Sequence, residues 1–199
     1  MTIPNRSVVF FDAQFQTQVA SGDFALNPFE KIALPFLSGR VLDYGCGLGN
    51  LSIEAARRGL KVVAVDASET AIARIRQTAS AERLGIDAVC ASIEDYAIPG
   101  AFDTIVAIGL LMFFKRDKAL ELLSRIQEHV ADHGLAIVNV LIEGTTFLGM
   151  FEPGNYFLFG RDELRDSFTG WRILHHGHDS FDAPGGTKKE FATIIARKG

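Results

Sequence analysis

One segment constrains the fold of this chain more than any other. Val41-Leu42-Asp43-Tyr44 reads as a short buried strand and runs directly into Gly45-Cys46-Gly47-Leu48-Gly49, with a helical pattern from Leu48 to Arg58 behind it. Glycines in such a loop serve a tight turn, a close approach of backbone to a ligand, and close helix packing. The loop opens on a helix N-terminus, whose free N–H groups attract a carboxylate or phosphate. The same alternation continues downstream. Lys61–Val65, Ile86–Cys90, Phe102–Ile108 and Leu135–Ile142 read as strands, the longer ones nearly all apolar. Helices fall between them, from Ser68 to about Arg83 and from Lys115 to Ala131, with Gly85 and Gly134 as stops. Apolar strands alternating with helices predict a parallel sheet covered on both faces, and right-handed crossovers make it doubly wound.

The flanks read differently. Phe11, Phe15 and Val19 share one face of an N-terminal helix, and Ser21-Gly22-Asp23 breaks it. Asn27 as N-cap and Pro28 at the first helical position start a second helix, which Pro35 should kink or end near Leu37. After the fifth strand, Glu143–Gly160 reads as a loop with aromatic residues and Asp162–Phe168 as a short helix. Trp171–His178 and Lys189–Arg197 read as a hairpin joined through Asp182–Gly186.

Composition excludes several classes. With 199 residues the default is one domain, and a formal net charge of −4 gives no broad nucleic-acid footprint. No run of apolar residues is long enough for a transmembrane helix. Met1-Thr2-Ile3-Pro4-Asn5-Arg6 has no basic region followed by a long apolar stretch, so no signal peptide is expected. Cys46 and Cys90 cannot make a disulfide framework and fit a reducing, cytoplasmic setting. Phe occurs 16 times against 3 Tyr and 1 Trp, which predicts an apolar core and an apolar pocket.

Two cofactor classes use a glycine loop of this kind. Asp66, at the end of the second strand, suits a ribose diol in either. Nicotinamide dehydrogenases favour Gly-x-Gly-x-x-Gly, whereas the spacing here is Gly45-x-Gly47-x-Gly49 with Asp43 just ahead. A carboxylate at Asp43 repels a pyrophosphate and suits a ligand bearing an ammonium and a sulfonium. The pattern Val-Leu-Asp-x-Gly-Cys-Gly-x-Gly resembles motif I of the class I S-adenosylmethionine (SAM) methyltransferases. The resemblance implies a Rossmann-like, seven-stranded, mostly parallel α/β sheet ending in an antiparallel hairpin. It also implies roles for particular residues. Gly45, Cys46, Gly47 and Gly49 would line the methionine moiety of SAM, and Asp43 would reach its ammonium. Asp66 would hold the ribose hydroxyls, and the backbone of Ala67 would border the adenine. Ser92 stands where an acid for the adenine amino group is expected, and Ile93 would pack on the ring. Ile108 and Gly109 would lie beside the methionine chain.

Three further stretches narrow the likeness: Leu110–Phe114, Phe157 through Glu163-Leu164-Arg165 to Trp171, and Phe191–Lys198. With motif I they resemble the tellurite-resistance methyltransferase family, small SAM enzymes that act on soft chalcogen oxyanions. That family has a His-Arg pair and a further Arg before its last strand. Here His178 precedes Asp179, and Gly186 stands near the later position. Without those arginines an oxyanion loses fixed positive charge, so a thiol is the other acceptor expected. His178 is the candidate catalytic residue. Phe11, Phe15, Met112, Phe113 and Phe157 are the candidate substrate pocket. His176 and His178 share a strand face, but no third ligand is visible in the sequence, so no metal is expected.

The chain is then expected to be a single domain. Residues 1–39 form a helical lid or cap, 40–142 the SAM-binding core, and 143–199 a substrate-side loop and hairpin. The expected partner is a small molecule, with neither nucleic acid nor membrane, and the chain a monomer or homodimer. A SAM-binding sensor without catalysis and an NAD-dependent dehydrogenase are the other readings.

Overall fold

The computed structural model describes residues 6–199, so five residues of the stretch read for a leader lie outside it. Seven strands form one sheet: β1 (Arg40–Tyr44), β2 (Lys61–Asp66), β3 (Ile86–Cys90), β4 (Phe102–Ile108), β5 (Val130–Leu141), β6 (Arg172–Ala183) and β7 (Thr187–Arg197). Their spatial order is β3-β2-β1-β4-β5-β7-β6. The pairs from β3 through to β5 are parallel, while β7 is antiparallel to both β5 and β6. The strand order reverses between β2 and β4, either side of β1, where a doubly wound sheet leaves a crevice at its carboxyl edge. Among the described residues no helix is long and apolar enough to cross a membrane.

The helices are α1 (Arg6–Ser21), α2 (Pro28–Ala33), α3 (Asn50–Arg57), α4 (Glu69–Glu82), α5 (Arg116–His129) and α6 (Glu163–Asp166). Local chemistry explains their starts. Asn27 Oδ1 accepts from the N–H groups of Phe29 and Glu30, and Glu30 answers by accepting from Asn27 N–H. Ser68 Oγ accepts from Ala71 N–H at the head of α4. Apolar side chains from both sheet faces pack under these helices. Leu42, Tyr44, Ile105, Leu122 and Phe168 belong to one buried cluster, and Val41, Val62, Ile72 and Ile75 to the other.

Four boundaries differ from the sequence reading. α3 starts at Asn50 because Gly49 holds a left-handed φ of 70° as its N-cap. A Cβ there would fall 2.5 Å from Ile75, so Gly49 lets α3 approach α4. Gly49→Ala is expected to cost about 2 kcal/mol, from φ strain and overpacking. A lower urea midpoint with an unchanged slope would show it. Second, α5 stops at His129 and β5 begins at Val130, ahead of the expected Leu135. Val130 already pairs with Phe102, and His133 at φ 62° takes up the irregularity before Leu135 joins Thr104. Gly134 therefore lies inside a strand. Third, β6 runs on to Ala183 and β7 starts at Thr187, so the hairpin arms are longer than expected. Fourth, the α-helical part of the second helix ends at Ala33, ahead of the expected Leu37, and Pro35 breaks it as expected, into a 3-10 turn, Leu34–Phe36.

Candidate active site

A cavity of about 980 Å³ opens at the carboxyl edge of β1, β2 and β4, within the size range of small-molecule sites. Asp43, Gly45, Cys46, Gly47, Asp66, Ala67, Ser92, Ile93, Ile108 and Gly109 all line it. These positions are far apart in sequence, and the switch in strand order gathers them. Gly45 and Gly47 adopt φ of 77° and 51°. The N–H groups of Gly45 and Cys46 donate to Val65 carbonyl oxygen at 2.8 and 3.0 Å, which pins the loop to β2. Gly49 is not part of the wall; its place is the helix contact described above.

Two carboxylates stand out. Asp43 is buried, and its Oδ2 accepts a hydrogen bond from Ser52 Oγ at 2.6 Å. Burial, opposed by that bond and reinforced by the charges of Glu30 and Asp66, pushes its carboxyl up to about 7. A desolvated acid with no cation beside it is poised to gain from one. Asp66 accepts from Gly47 N–H at 2.8 Å through Oδ2 and from Ser68 N–H at 2.9 Å through Oδ1. Burial raises its carboxyl above the ordinary range despite those donors. Both carboxylates face the same cavity from adjacent parallel strands.

Other wall groups support a polar, cationic ligand. Asn139 lies buried in β5, its amide donating to Thr193 Oγ1 at 2.9 Å, while its Oδ1 has no hydrogen-bond partner. Asn50 Oδ1 is likewise buried and unpartnered. Orphaned acceptors of this kind call for a donor from a ligand or water. Tyr44 does not face the cavity chemistry: its hydroxyl donates to Ile93 carbonyl oxygen at 2.6 Å and fixes the loop after β3. Burial pushes the Cys46 thiol well up, so it is inert as a nucleophile.

The remaining wall is apolar and is built by parts of the chain outside the sheet core. Phe11 and Phe15 of α1 line it with Met112, Phe113 and Met150. Phe11 meets Phe113 edge to face at 5.1 Å, and Phe15 sits over Gly47. α1 is held there by Ser68 Oγ donating to Asp12 at 2.5 Å and by Ser7 Oγ donating to Met150 carbonyl oxygen at 3.1 Å.

Besides Gly49, two predicted site residues lie elsewhere. His178 does not line the cavity: it is on the edge strand β6, with Nε2 2.8 Å from Arg161 carbonyl oxygen. The strand order, which puts β7 between β5 and β6, carries it away from the switch point. Phe157 also falls outside the wall, packed on Phe159 at 4.5 Å between ring centroids. Sequence reasoning missed Asn139, Met150, Lys189 and Phe191, all of which line the cavity. Lys189 stands between Lys188 and Glu190 in β7, so nothing in the local sequence sets it apart as a pocket residue.

Comparison with known proteins agrees with this architecture. Residues 41–134 match the family described as methyltransferase domain. The probable S-adenosyl-L-methionine-dependent methyltransferase TehB of Haemophilus influenzae is 27% identical over 195 residues, covering 95% of this chain and 66% of that protein. The crystal structure of TehB from the same organism superposes with a TM-score of 0.76 at 24% identity, over 92% of this chain and 65% of TehB. The chain thus spans less than two thirds of the TehB proteins it matches. The N-methyltransferase NodS from Bradyrhizobium japonicum, in complex with S-adenosyl-L-homocysteine (SAH), has the same fold. Its TM-score is 0.68 at 15% identity, over 94% of this chain and 98% of NodS. Motif, sheet order and family match converge: residues 41–134 match a methyltransferase domain, set in the seven-stranded fold that the TehB and NodS structures share.

Proposed function

We propose that this chain binds SAM in the cavity and transfers its methyl group to a small, soft, anionic acceptor such as a thiolate or a chalcogen oxyanion. When bound, SAM supplies an electrophilic methyl on a sulfonium. The donor set fits it. Asp43 offers a buried carboxylate to the ammonium, Asp66 two oxygens to the ribose diol, and Gly45 and Gly47 a wall without side chains. Ile93 packs beside the adenine position, and Ala67 borders it.

The single observation that carries the acceptor class is Lys189. It is half-buried in the cavity wall, with the Phe147 ring centroid 4.6 Å from Nζ. No carboxylate lies within ion-pair distance of it among the described residues, and burial alone pulls its ammonium below the usual lysine range. A cation in an apolar pocket favours an anionic ligand and stabilises the deprotonated form of a weak acid. It offers the fixed charge that the missing arginines do not.

No histidine lines the cavity among the described residues. An acceptor that arrives already ionised needs no general base; alignment and exclusion of water suffice. α1, with Met150 from the segment after β5, borders the apolar side of the cavity and would limit water there.

Lys189→Met tests the reading. With a thiol acceptor, kcat/KM is expected to fall tenfold to a hundredfold, the scale of a lost bond to a charged group. SAH affinity should stay within about twofold, because Lys189 serves the acceptor and not the cofactor. Unchanged turnover in the variant would remove the anionic-acceptor reading. SAH binding without any methyl transfer to thiol, selenite or tellurite would favour a sensor instead.

A further inference from the structure

The strongest unused cluster lies away from the cavity, where α6 packs against the terminal hairpin. Asp162 immediately precedes α6, and His176 and His178 project from the same face of β6, with ring centroids 4.8 Å apart. One donor atom from each of the three falls within 4.8 Å of the others. From the strand alone only the imidazole pair was visible. The third donor comes from a segment fourteen or more residues upstream, brought in by the fold.

We propose that Asp162, His176 and His178 form a binding site for a divalent transition-metal ion, with Zn²⁺ as the natural occupant, which clamps the start of α6 to β6. Two imidazoles and a carboxylate are the donor set of three-ligand zinc sites, which keep a fourth position for water. The donors are already prepared. His176 Nε2 is shielded from solvent and has no hydrogen-bond partner. His178 Nε2 is 2.8 Å from Arg161 carbonyl oxygen. In the tautomer that donates to that carbonyl, Nδ1 is left to ligate, the arrangement usual for metal-ligating histidines.

The charges around His176 have to be set against this. Arg165 is the competitor, reaching Asp162 at 3.2 Å, but its shorter contact is to Asp166 at 2.8 Å. Asp162 therefore has a second oxygen to give. Zinc bonds of about 2.0–2.1 Å require donors roughly 3.4 Å apart, so the rings and carboxylate draw together by rotamer shifts on binding.

The test is a calorimetric titration of Zn²⁺ into chelator-stripped full-length protein, repeated with His176→Gln and Asp162→Asn. One ion per chain with micromolar affinity is expected, weakened at least tenfold in each variant. The thermal midpoint of the wild type should rise with Zn²⁺ and that of the variants should not. Co²⁺ in place of Zn²⁺ should give visible bands without a thiolate charge-transfer band. Binding that both variants retain at full strength would overturn the proposal. So would a thiolate band, which would assign the ion to Cys46 or Cys90, or a wild-type Kd weaker than about 1 mM. Each variant's own melting curve separates loss of the site from loss of the fold.

Discussion

Asp43→Asn is expected to weaken SAH binding about hundredfold near neutral pH while leaving the free protein as stable as the wild type or more so. Removing one partner of a buried charge pair costs several kcal/mol of affinity. The same side chain is a liability before the ligand arrives. Its carboxyl is pushed up to about 7 by burial, against 3.8 as its ordinary value. The unfolded chain releases this proton near the ordinary value, whereas the folded chain keeps it until about 7. Across that window the folded state binds more protons, so stability falls as pH rises and levels off above it. Asparagine removes this dependence. Ser52 Oγ, 2.6 Å away, can partner the new amide.

Binding runs in the opposite direction. An ammonium beside Asp43 restores the carboxylate, so complex formation below pH 7 expels a proton. Wild-type affinity for SAH should rise with pH toward 7, by at most about tenfold per pH unit. The variant should show a flat profile. Calorimetry from about pH 5.5 to 7.5 stays below the titration of an α-amino group. A wild-type profile as flat as the variant's would show that Asp43 does not meet the ammonium.

Asp66→Ala is expected to weaken SAH binding tenfold to a hundredfold, the scale of lost hydrogen bonds to a charged acceptor. It should also lower stability by about 1–3 kcal/mol, because the N–H groups of Gly47 and Ser68 lose their acceptor. Asp66→Asn keeps an oxygen of the same shape and should fall between the two. Isothermal titration and urea unfolding on the same preparations separate the ligand effect from the structural one. Wild-type protein that ignores SAH but binds NADH would return the chain to the dehydrogenase reading.

The sequence by itself determined the parts of this protein whose physics is local. A strand, a glycine turn and a helix start adjoin one another in the chain, so the glycine loop and Asp66 were legible as a cofactor-type site, and the resemblance to motif I then implied the roles of Asp43, Gly45 and Gly47. The caps at Asn27 and Ser68 were legible for the same reason, since a cap bonds within three residues. Apolar strands alternating with helices were enough for a doubly wound sheet. Tertiary structure decided what shares a surface with that loop. Lys189 reaches the cavity only because β7 inserts antiparallel beside β5, and Asn139 reaches it from β5 because that strand lies beside β4. The same insertion pushes β6 to the edge, which takes His178 away from the cavity wall and sets it beside Asp162. Periodicity states which residues share one face of an element. It does not state which element will lie across from that face, because that choice is made by burial summed over the whole chain.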